Sequence, residues 1–297
     1  MAALTPARRT ALARASLEGL SVGDAFGDQF FLLSNREIQP ETGLPPAPWG
    51  WSDDTEMACS VVTVLTEHDG IDQDALATSF AERMDIGRRY GAGAVELLER
   101  VRGGVHWHPA SRELFDGKGS FGNGAAMRVA PLGAYFSDDP ARAAKEAALS
   151  AEVTHAHPEG IAGAVATATA AAHAAADPNL TPRGLLEAAL EHTPAEHVRK
   201  GLQRARTLLK ATPAEAAHVL GNGNRISAQD TVPFALWAAA TNLDDYESAI
   251  RACVLVGGDM DTTAAITGGV LAARLGTEGL PPGWREAREP LPTWLPT

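Results

Sequence analysis

Hydrophobic residues recur at helical spacing along most of the chain. Leu12, Leu17 and Leu20 lie on one side of a helix predicted over about residues 10–27, because apolar side chains three or four positions apart share a helix face. The same spacing predicts further helices over about residues 53–67, 73–90, 92–103, 140–153, 159–175 and 262–275, within 181–221, and from 228 onwards. No segment combines two-residue alternation with turn residues at both ends, as a half-buried strand would. We therefore predict an all-α fold, a compact orthogonal bundle of a dozen or more helices.

Proline interrupts this pattern in two places. Four prolines between residues 40 and 48 predict a long loop, and long loops inside compact domains are usually lids or binding loops. A second proline-rich stretch follows Gly279 and is expected to lie on the surface. No linker or change of composition divides the chain. We therefore predict one domain over residues 1–297, with a core at about 10–277 and a proline-rich C-terminal tail.

Composition excludes several classes of protein. The 297 residues carry 25 Lys and Arg against 37 Asp and Glu, a formal net charge of −12. Extended nucleic-acid binding is therefore not expected, because it needs a basic stripe facing the phosphate backbone. The alanine-rich run at residues 161–176 is too short and too polar to span a bilayer. Cys59 and Cys253 are expected to be reduced, buried thiols without a catalytic role. We expect a monomeric cytoplasmic protein without membrane contact.

Two acidic motifs precede predicted helices. Asp53 and Asp54 come directly before one helix, and Asp259 and Asp261 follow two glycines that let the backbone turn. Taken separately, each pair is typical of helix capping. If both helix starts face one cavity, the four carboxylates cannot all stay ionised unless cations neutralise them. Carboxylates, hydroxyls and water suit Mg²⁺ or Mn²⁺ and disfavour zinc, so the two motifs together predict a divalent metal site.

A third segment, residues 119–128, is dense in glycine before it becomes helical. Backbone N–H groups at such a helix start can bind a diphosphate, and a purely structural turn is the alternative. Further along the chain, His155 and His157 flank one alanine. A zinc site is not predicted there, because no cysteine or third histidine stands nearby and the other candidate ligands are oxygens.

The two acidic motifs resemble the paired acidic motifs of the ADP-ribosylglycohydrolase family, the relatives of dinitrogen-reductase-activating glycohydrolase and of the ADP-ribosyl-acceptor hydrolases. Other segments resemble motifs of this family in the same chain order: GLSVGDAFG at 19–27, GSFGNGAAMR at 119–128, THAHP at 154–158 and QDTVP at 229–233. The landmarks cover about residues 14–276. Each is weak alone, but their order and spacing make the set specific. The family fold is all-α, in agreement with the helical pattern.

The resemblance implies two divalent cations, Mg²⁺ or Mn²⁺, held by both acidic motifs. The implied metal ligands are Ser52, Asp53, Asp54, Asp259, Asp261 and Thr262. Asp54 and Asp261 are the implied catalytic residues, with one aspartate taking a proton from the attacking water. Ser52 stands where most of the family has threonine, and it keeps the hydroxyl group.

The resemblance also implies a set of residues around ADP-ribose. They are Asp24, Gly119, Ser120, Phe121, Gly122, Asn123, Gly124, Met127 and His155. Phe121 is expected to stack on adenine, Asn123 to bond a ribose hydroxyl, and His155 to bond a ribose or an aspartate of the site. Arg128 is expected to form a buried structural ion pair instead.

One position departs from the family pattern. Many members have a glutamate just after the first glycine motif, where it gates or protonates the substrate, and Phe31 occupies that position here. A phenylalanine can neither donate a proton nor contact a metal. Either Glu37 or Glu41 substitutes from the loop, or water or another side chain protonates the leaving group.

The implied reaction is hydrolysis of the bond from C1'' of the distal ribose of ADP-ribose to an acceptor. The expected partner is the ADP-ribose moiety of a modified protein or small molecule, with a protein arginine as the favoured acceptor. Serine, O-acetyl-ADP-ribose and an ADP-ribosylated nucleobase are alternatives, because Phe31 leaves the proton donor open. A non-catalytic ADP-ribose-binding or crystallin-like protein is a further alternative, against which the retention of all four acidic positions argues.

Overall fold

The structure of the protein is a computed structural model that describes residues 3–194 and 197–295. Over those residues the backbone forms fifteen α-helices and no β-strand, which confirms the all-α prediction. The helices are α1 (Pro6–Asp28), α2 (Asp53–His68), α3 (Gln73–Arg83), α4 (Ala92–Arg102), α5 (Trp107–Gly117), α6 (Ala130–Tyr135), α7 (Pro140–Glu152), α8 (Pro158–Ala176), α9 (Pro182–His192), α10 (His197–Ala205), α11 (Pro213–Leu220), α12 (Ala228–Thr241), α13 (Tyr246–Leu255), α14 (Met260–Leu275) and α15 (Trp284–Ala287). None of the described helices is long and apolar enough to cross a membrane.

Helices α1 and α14 form the most extensive helix pair. Gly19 of α1 lies against Ala272, and Gly27 lies against Met260, so the two helices run antiparallel. At Gly23 the backbone carbonyl of Ala264 occupies the space that a Cβ atom would need. Small residues therefore allow close approach, and the C-terminal end of α1 lies beside the N-terminal end of α14. This arrangement brings the first glycine motif to the second acidic motif.

One buried tryptophan anchors the C-terminal tail to the core. Trp284 is 3% exposed, and its ring stacks on Phe26 with centroids 4.2 Å apart. Backbone hydrogen bonds hold the tail in place, since Trp49 N–H donates to Ala287 O at 2.7 Å and Glu289 N–H donates to Trp49 O at 2.8 Å. Most of the other residues from 281 to 295 are exposed or half-buried, so the tail lies along the surface and the buried Trp284 anchors it there.

One helix boundary and two further helices differ from the sequence prediction. The helix predicted over 73–90 ends at Arg83, and the Asp85 side chain then accepts a hydrogen bond from Gly87 N–H in a separate turn. Helices α5 and α13 were not predicted from periodicity. Helix α13 has a local signal, because Asp245 caps its start by accepting from Ser248 N–H at 3.0 Å.

Candidate active site

Three buried aspartates from three helices converge at the end of the α1–α14 pair. Asp24, Asp54 and Asp261 each offer a carboxylate oxygen, and these oxygens all lie within 4.8 Å of one another. They come from the C-terminal half of α1 and the first turns of α2 and α14. The antiparallel packing of α1 on α14 thus assembles a cluster from residues separated by more than 200 positions.

Asp24 also holds the start of α2. Its carboxylate accepts hydrogen bonds from Ser52 N–H at 3.0 Å and Thr55 N–H at 3.1 Å, and from the Thr55 hydroxyl. The sequence placed Asp24 in the substrate-binding set. The structure places it within the carboxylate cluster and not among the residues that line the adjoining cavity.

Hydroxyl groups orient one oxygen of Asp54 and leave the other free. Asp54 Oδ2 accepts from Ser52 Oγ at 3.1 Å and from Thr262 Oγ1 at 3.4 Å. Asp54 Oδ1 is buried and has no hydrogen-bond partner among the described residues. A buried carboxylate oxygen without a partner is costly unless a proton or a cation binds there.

Burial and mutual repulsion disfavour the ionised cluster. Burial, and then the charge of Asp261, raise the pKa of Asp24 to about 6 and that of Asp259 to about 8. The pKa values of Asp53 and Asp54 are raised well above the ordinary range, again chiefly by burial. An ionised cluster therefore needs a positive counter-charge, and a donor set made only of oxygens fits Mg²⁺ or Mn²⁺ better than zinc.

A cavity of about 500 Å³ opens beside the cluster. The acidic motifs form one part of its wall through Asp53, Asp54, Asp259, Asp261 and Thr262. The glycine-rich segment and its neighbours form another part through Ser120, Phe121, Gly122, Asn123, Gly124, Met127 and His155. Ser52, like Asp24, lies behind this wall, and so does Gly119, which has a φ of +72° and lies against the backbone of His157.

Asn123 joins the glycine-rich loop to the second acidic motif. Its Nδ2 donates to Asp259 Oδ2 at 2.5 Å and to Thr231 Oγ1 at 3.0 Å. Thr231 was not singled out from the sequence, although it belongs to the motif at residues 229–233. The signal that could have found it is the hydroxyl directly after Asp230 in that motif.

His155 is a neutral imidazole beneath the loop. It is 8% exposed, and burial, followed by the charge of Arg128, lowers its pKa to about 3. Its Nδ1 lies 2.7 Å from Thr154 Oγ1. A neutral His155 ring that bonds Thr154 through Nδ1 has its other ring nitrogen, Nε2, for a hydrogen bond to a ligand.

Arg128 has no carboxylate partner among the described residues, so the ion pair expected from the sequence is not formed there. Its guanidinium donates to Ser150 O and to Thr154 Oγ1, both at 2.9 Å, and to Gly124 O at 3.2 Å. Carbonyl and hydroxyl oxygens take the place of a carboxylate, and burial lowers the pKa of Arg128 to about 9. Arg128 thus supports the glycine-rich loop from behind.

Among the residues that the structure describes, no carboxylate of the loop between α1 and α2 lines the cavity. Phe31, Glu37 and Glu41 are all absent from the lining, and Glu37 lies beside Arg36 at 3.8 Å. Arg89, which does line the cavity, pairs with Asp28 at the end of α1. The sequence did not identify this pair, because it depends on the turn after α3.

The chain is similar to known proteins along nearly its whole length. A sequence model of the ADP-ribosylglycohydrolase family matches residues 5–296. The ADP-ribosylhydrolase ARH3 of Xenopus tropicalis is 29% identical over 320 residues, which cover 93% of this chain and 90% of that protein. The ADP-ribosylarginine hydrolase Tri1 of Pseudomonas putida is 27% identical over 299 residues, which cover 95% of this chain and 76% of that protein.

A solved structure of an ADP-ribosylglycohydrolase-related protein complex has the same fold. It superimposes with a TM-score of 0.68 at 24% sequence identity, over 95% of this chain and 94% of that one. The family match spans nearly the whole sequence, including both acidic motifs and the glycine-rich loop. This chain therefore belongs to the ADP-ribosylglycohydrolase family.

Proposed function

We propose that the protein is a divalent-metal-dependent hydrolase that releases ADP-ribose from a modified acceptor. The observation that carries this proposal is the convergence of Asp24, Asp54 and Asp261 at one end of a cavity. Residues 120–124 of the glycine-rich loop line another part of the same cavity. One cavity thus offers carboxylates for a reacting sugar and backbone donors for a diphosphate.

The proposed ligands of two cations are the carboxylates and hydroxyls of both acidic motifs, namely Ser52, Asp53, Asp54, Asp259, Asp261 and Thr262. The unpartnered Oδ1 of Asp54 and the raised pKa values of the neighbouring aspartates support this assignment. Because Asp24 contributes an oxygen to the same cluster, we add it as a residue that positions Ser52 and Asp54. Bound divalent cations make water more acidic and polarise substrate oxygens.

The residues of the chain have separate roles in the proposed reaction. The glycine-rich loop binds the diphosphate, Phe121 stacks on adenine through a side chain that is 43% exposed, and Asn123 bonds a ribose hydroxyl. Water adds to C1'' of the distal ribose while the bond from C1'' to the acceptor breaks. Asp54 or Asp261 takes the proton of that water, and the acidic cluster stabilises the positive charge that develops on the sugar.

Arginine on a modified protein is the proposed acceptor. The similarity to Tri1, which is described as an ADP-ribosylarginine hydrolase, supports this choice. A second candidate is an acceptor with an oxygen leaving group, such as serine or the acetyl group of O-acetyl-ADP-ribose, or a nucleobase. The observation that favours it is the position of Phe31, Glu37 and Glu41 outside the cavity wall, which leaves water or another side chain as the proton donor for the departing group.

The test is ADP-ribose release from a panel of purified substrates, each with Mg²⁺, Mn²⁺ or EDTA. The panel contains ADP-ribosyl-arginine, ADP-ribosyl-serine, O-acetyl-ADP-ribose and ADP-ribosylated nucleic acid. The proposal predicts release that EDTA abolishes, with arginine giving the highest kcat/KM. Fast release from another substrate would mean that the acceptor is not arginine, and the proposed role of the metal would be unchanged. Binding of ADP-ribose without release from any substrate would indicate a non-catalytic binding protein.

A further inference from the structure

A groove of about 480 Å³ lies next to the active-site cavity, between α10, α11 and the loop at residues 221–227. Its basic side chains are His197, Lys200, Arg204, His218 and Arg225. Asp230 is the one acidic side chain among the described residues that line it. This groove is locally basic in a chain whose formal net charge is −12.

Helix α10 presents three of these groups on one face. His197, Lys200 and Arg204 are spaced so that they share a side of the helix, and all three are exposed. Val198 and Leu202 are fully buried on the other side. The apolar face therefore anchors the helix while the basic face lines the groove.

The permanent positive charges of the groove are not neutralised by ion pairs within the described chain. Arg206, just after α10, pairs with Glu187 at 3.1 Å, whereas Lys200, Arg204 and Arg225 have no such carboxylate partner among the residues described. The Asp230 carboxylate accepts a hydrogen bond from the backbone N–H of Arg225 at 2.9 Å, and its single charge offsets only one of these three cations. Among the described residues, three permanent cations and one carboxylate thus surround one open volume, which leaves the groove with an excess of positive charge.

The loop at residues 221–227 separates this groove from the active-site cavity. Arg225 lines both spaces. The loop is tied to the active site at both ends, because Asp259 N–H donates to Asn222 O and Ala228 N–H donates to Phe121 O, each at 3.0 Å. A ligand in the groove would therefore lie directly beside a ligand in the cavity.

We propose that this groove binds a phosphate oligoanion. Arginine and lysine side chains bind phosphate oxygens strongly, and arginine does so with two parallel hydrogen bonds. Several cations around one groove suit a ligand with several linked charges better than a single carboxylate. The phosphates can belong to an extension of the molecule held in the active site or to a separate phosphate-rich ligand. The proposal does not rest on the hydrolytic reaction.

Binding of inorganic tripolyphosphate, measured by calorimetry in low salt, tests the proposal. The charge-reversal variant Lys200→Glu/Arg204→Glu should bind at least about tenfold more weakly than the wild type, because phosphate affinity depends on the neutralising cations. The control Lys145→Glu/Arg112→Glu makes the same change in net charge at exposed positions outside the groove, and it should bind within about twofold of wild type. Circular dichroism and the thermal midpoint check that both variants fold.

Several results would overturn the proposal. These results are no binding of tripolyphosphate to the wild type, equal weakening of binding in the two double variants, and a glutamate peptide of equal charge that binds as tightly as tripolyphosphate.

A second comparison identifies the source of the phosphates. It measures the binding of ADP-ribose and of ADP-ribose that carries an extra phosphate on its adenosine ribose. If Lys200→Glu/Arg204→Glu weakens only the phosphorylated form, the groove takes phosphates of the substrate. If it weakens tripolyphosphate alone, the ligand is separate. Neither comparison requires hydrolysis, so a failure of the proposed function would be recognised independently.

Discussion

Asn123 Nδ2 donates a hydrogen bond to Asp259 Oδ2 over 2.5 Å, so one contact joins the glycine-rich loop to the acidic motif before α14. This contact ties the loop proposed to bind the diphosphate to the carboxylates proposed to face the reacting ribose.

Replacing Asn123 with alanine should weaken substrate binding and loosen the acidic motif. Asp259 would lose a donor, and a hydrogen bond to a charged group contributes about 1.5–3 kcal/mol. We expect kcat/KM for the preferred ADP-ribosyl substrate to fall by about tenfold to a hundredfold. Steady-state kinetics measure the effect, with Asn179→Ala at an exposed loop position as the control. Unchanged kinetics would mean that the contact has no role in the reaction.

Replacing Phe121 with alanine should weaken ADP-ribose binding by about 1–3 kcal/mol, the usual contribution of a base stacked on an aromatic ring. The side chain is 43% exposed, so its removal should leave stability nearly unchanged. Calorimetry with ADP-ribose measures the loss. Val105→Ala, at a site that is 40% exposed, is the control. Equal affinity of Phe121→Ala and wild type would remove Phe121 from the proposed adenine contact.

The stability of the metal-free protein should fall as pH rises. Asp24 and Asp259 have folded-state pKa values of about 6 and about 8, above the ordinary value of 3.8 for an unfolded chain. Both groups therefore bind protons more tightly when folded, and their contribution is complete below about pH 4 and is lost progressively up to about pH 8.

Addition of Mg²⁺ should reverse this loss, because the cation replaces the bound protons. The increase in thermal midpoint on adding Mg²⁺ should accordingly be larger at pH 8 than at pH 5. Differential scanning fluorimetry with choline chloride of equal ionic strength as control measures it. An increase that is the same at both pH values would contradict the raised pKa values.

Replacing Gly23 with alanine should destabilise the whole fold. The new Cβ atom would meet the carbonyl of Ala264 in α14, and overpacking of this kind costs about 1–3 kcal/mol. Because both helices carry site aspartates, activity should fall together with stability. Urea unfolding measures the change, and Gly50→Ala, whose Cβ would come no closer than 3.6 Å to another group, is the control. A stable Gly23→Ala variant would contradict the close approach of α1 and α14.

The sequence predicted the parts of the site that have local signals. Asp53 and Asp54 precede one helix, and Asp259 and Asp261 follow a glycine turn, so both pairs are visible in a few residues. The place of Asp24 among the carboxylates was not visible, because it depends on the antiparallel packing of α1 on α14. Burial of Trp284 likewise depends on an aromatic contact with Phe26, which lies far away in the sequence.

In the fold and the basic groove, too, local features could be predicted from the sequence and features that depend on distant contacts could not. Periodicity predicted an all-α fold and many of its helices, since a helix face repeats every three or four residues. It did not predict that α3 ends at Arg83, because the hydrophobic pattern continues to about residue 90. The helix ends there because Asp85 begins a separate turn. The groove draws on α10, α11 and the loop after α11, and only the basic face of α10 is visible in the sequence itself.

The binding of Mn²⁺ to EDTA-treated protein, counted by electron paramagnetic resonance, tests the metal centre most directly. The wild type should bind two ions per chain, and Asp261→Asn should lose them while its helical circular-dichroism spectrum stays intact. Glu82→Gln, an exposed site on α3, should bind as the wild type does. Absence of bound Mn²⁺ in the wild type, or equal binding and full hydrolytic activity in Asp261→Asn, would contradict the metal-dependent mechanism.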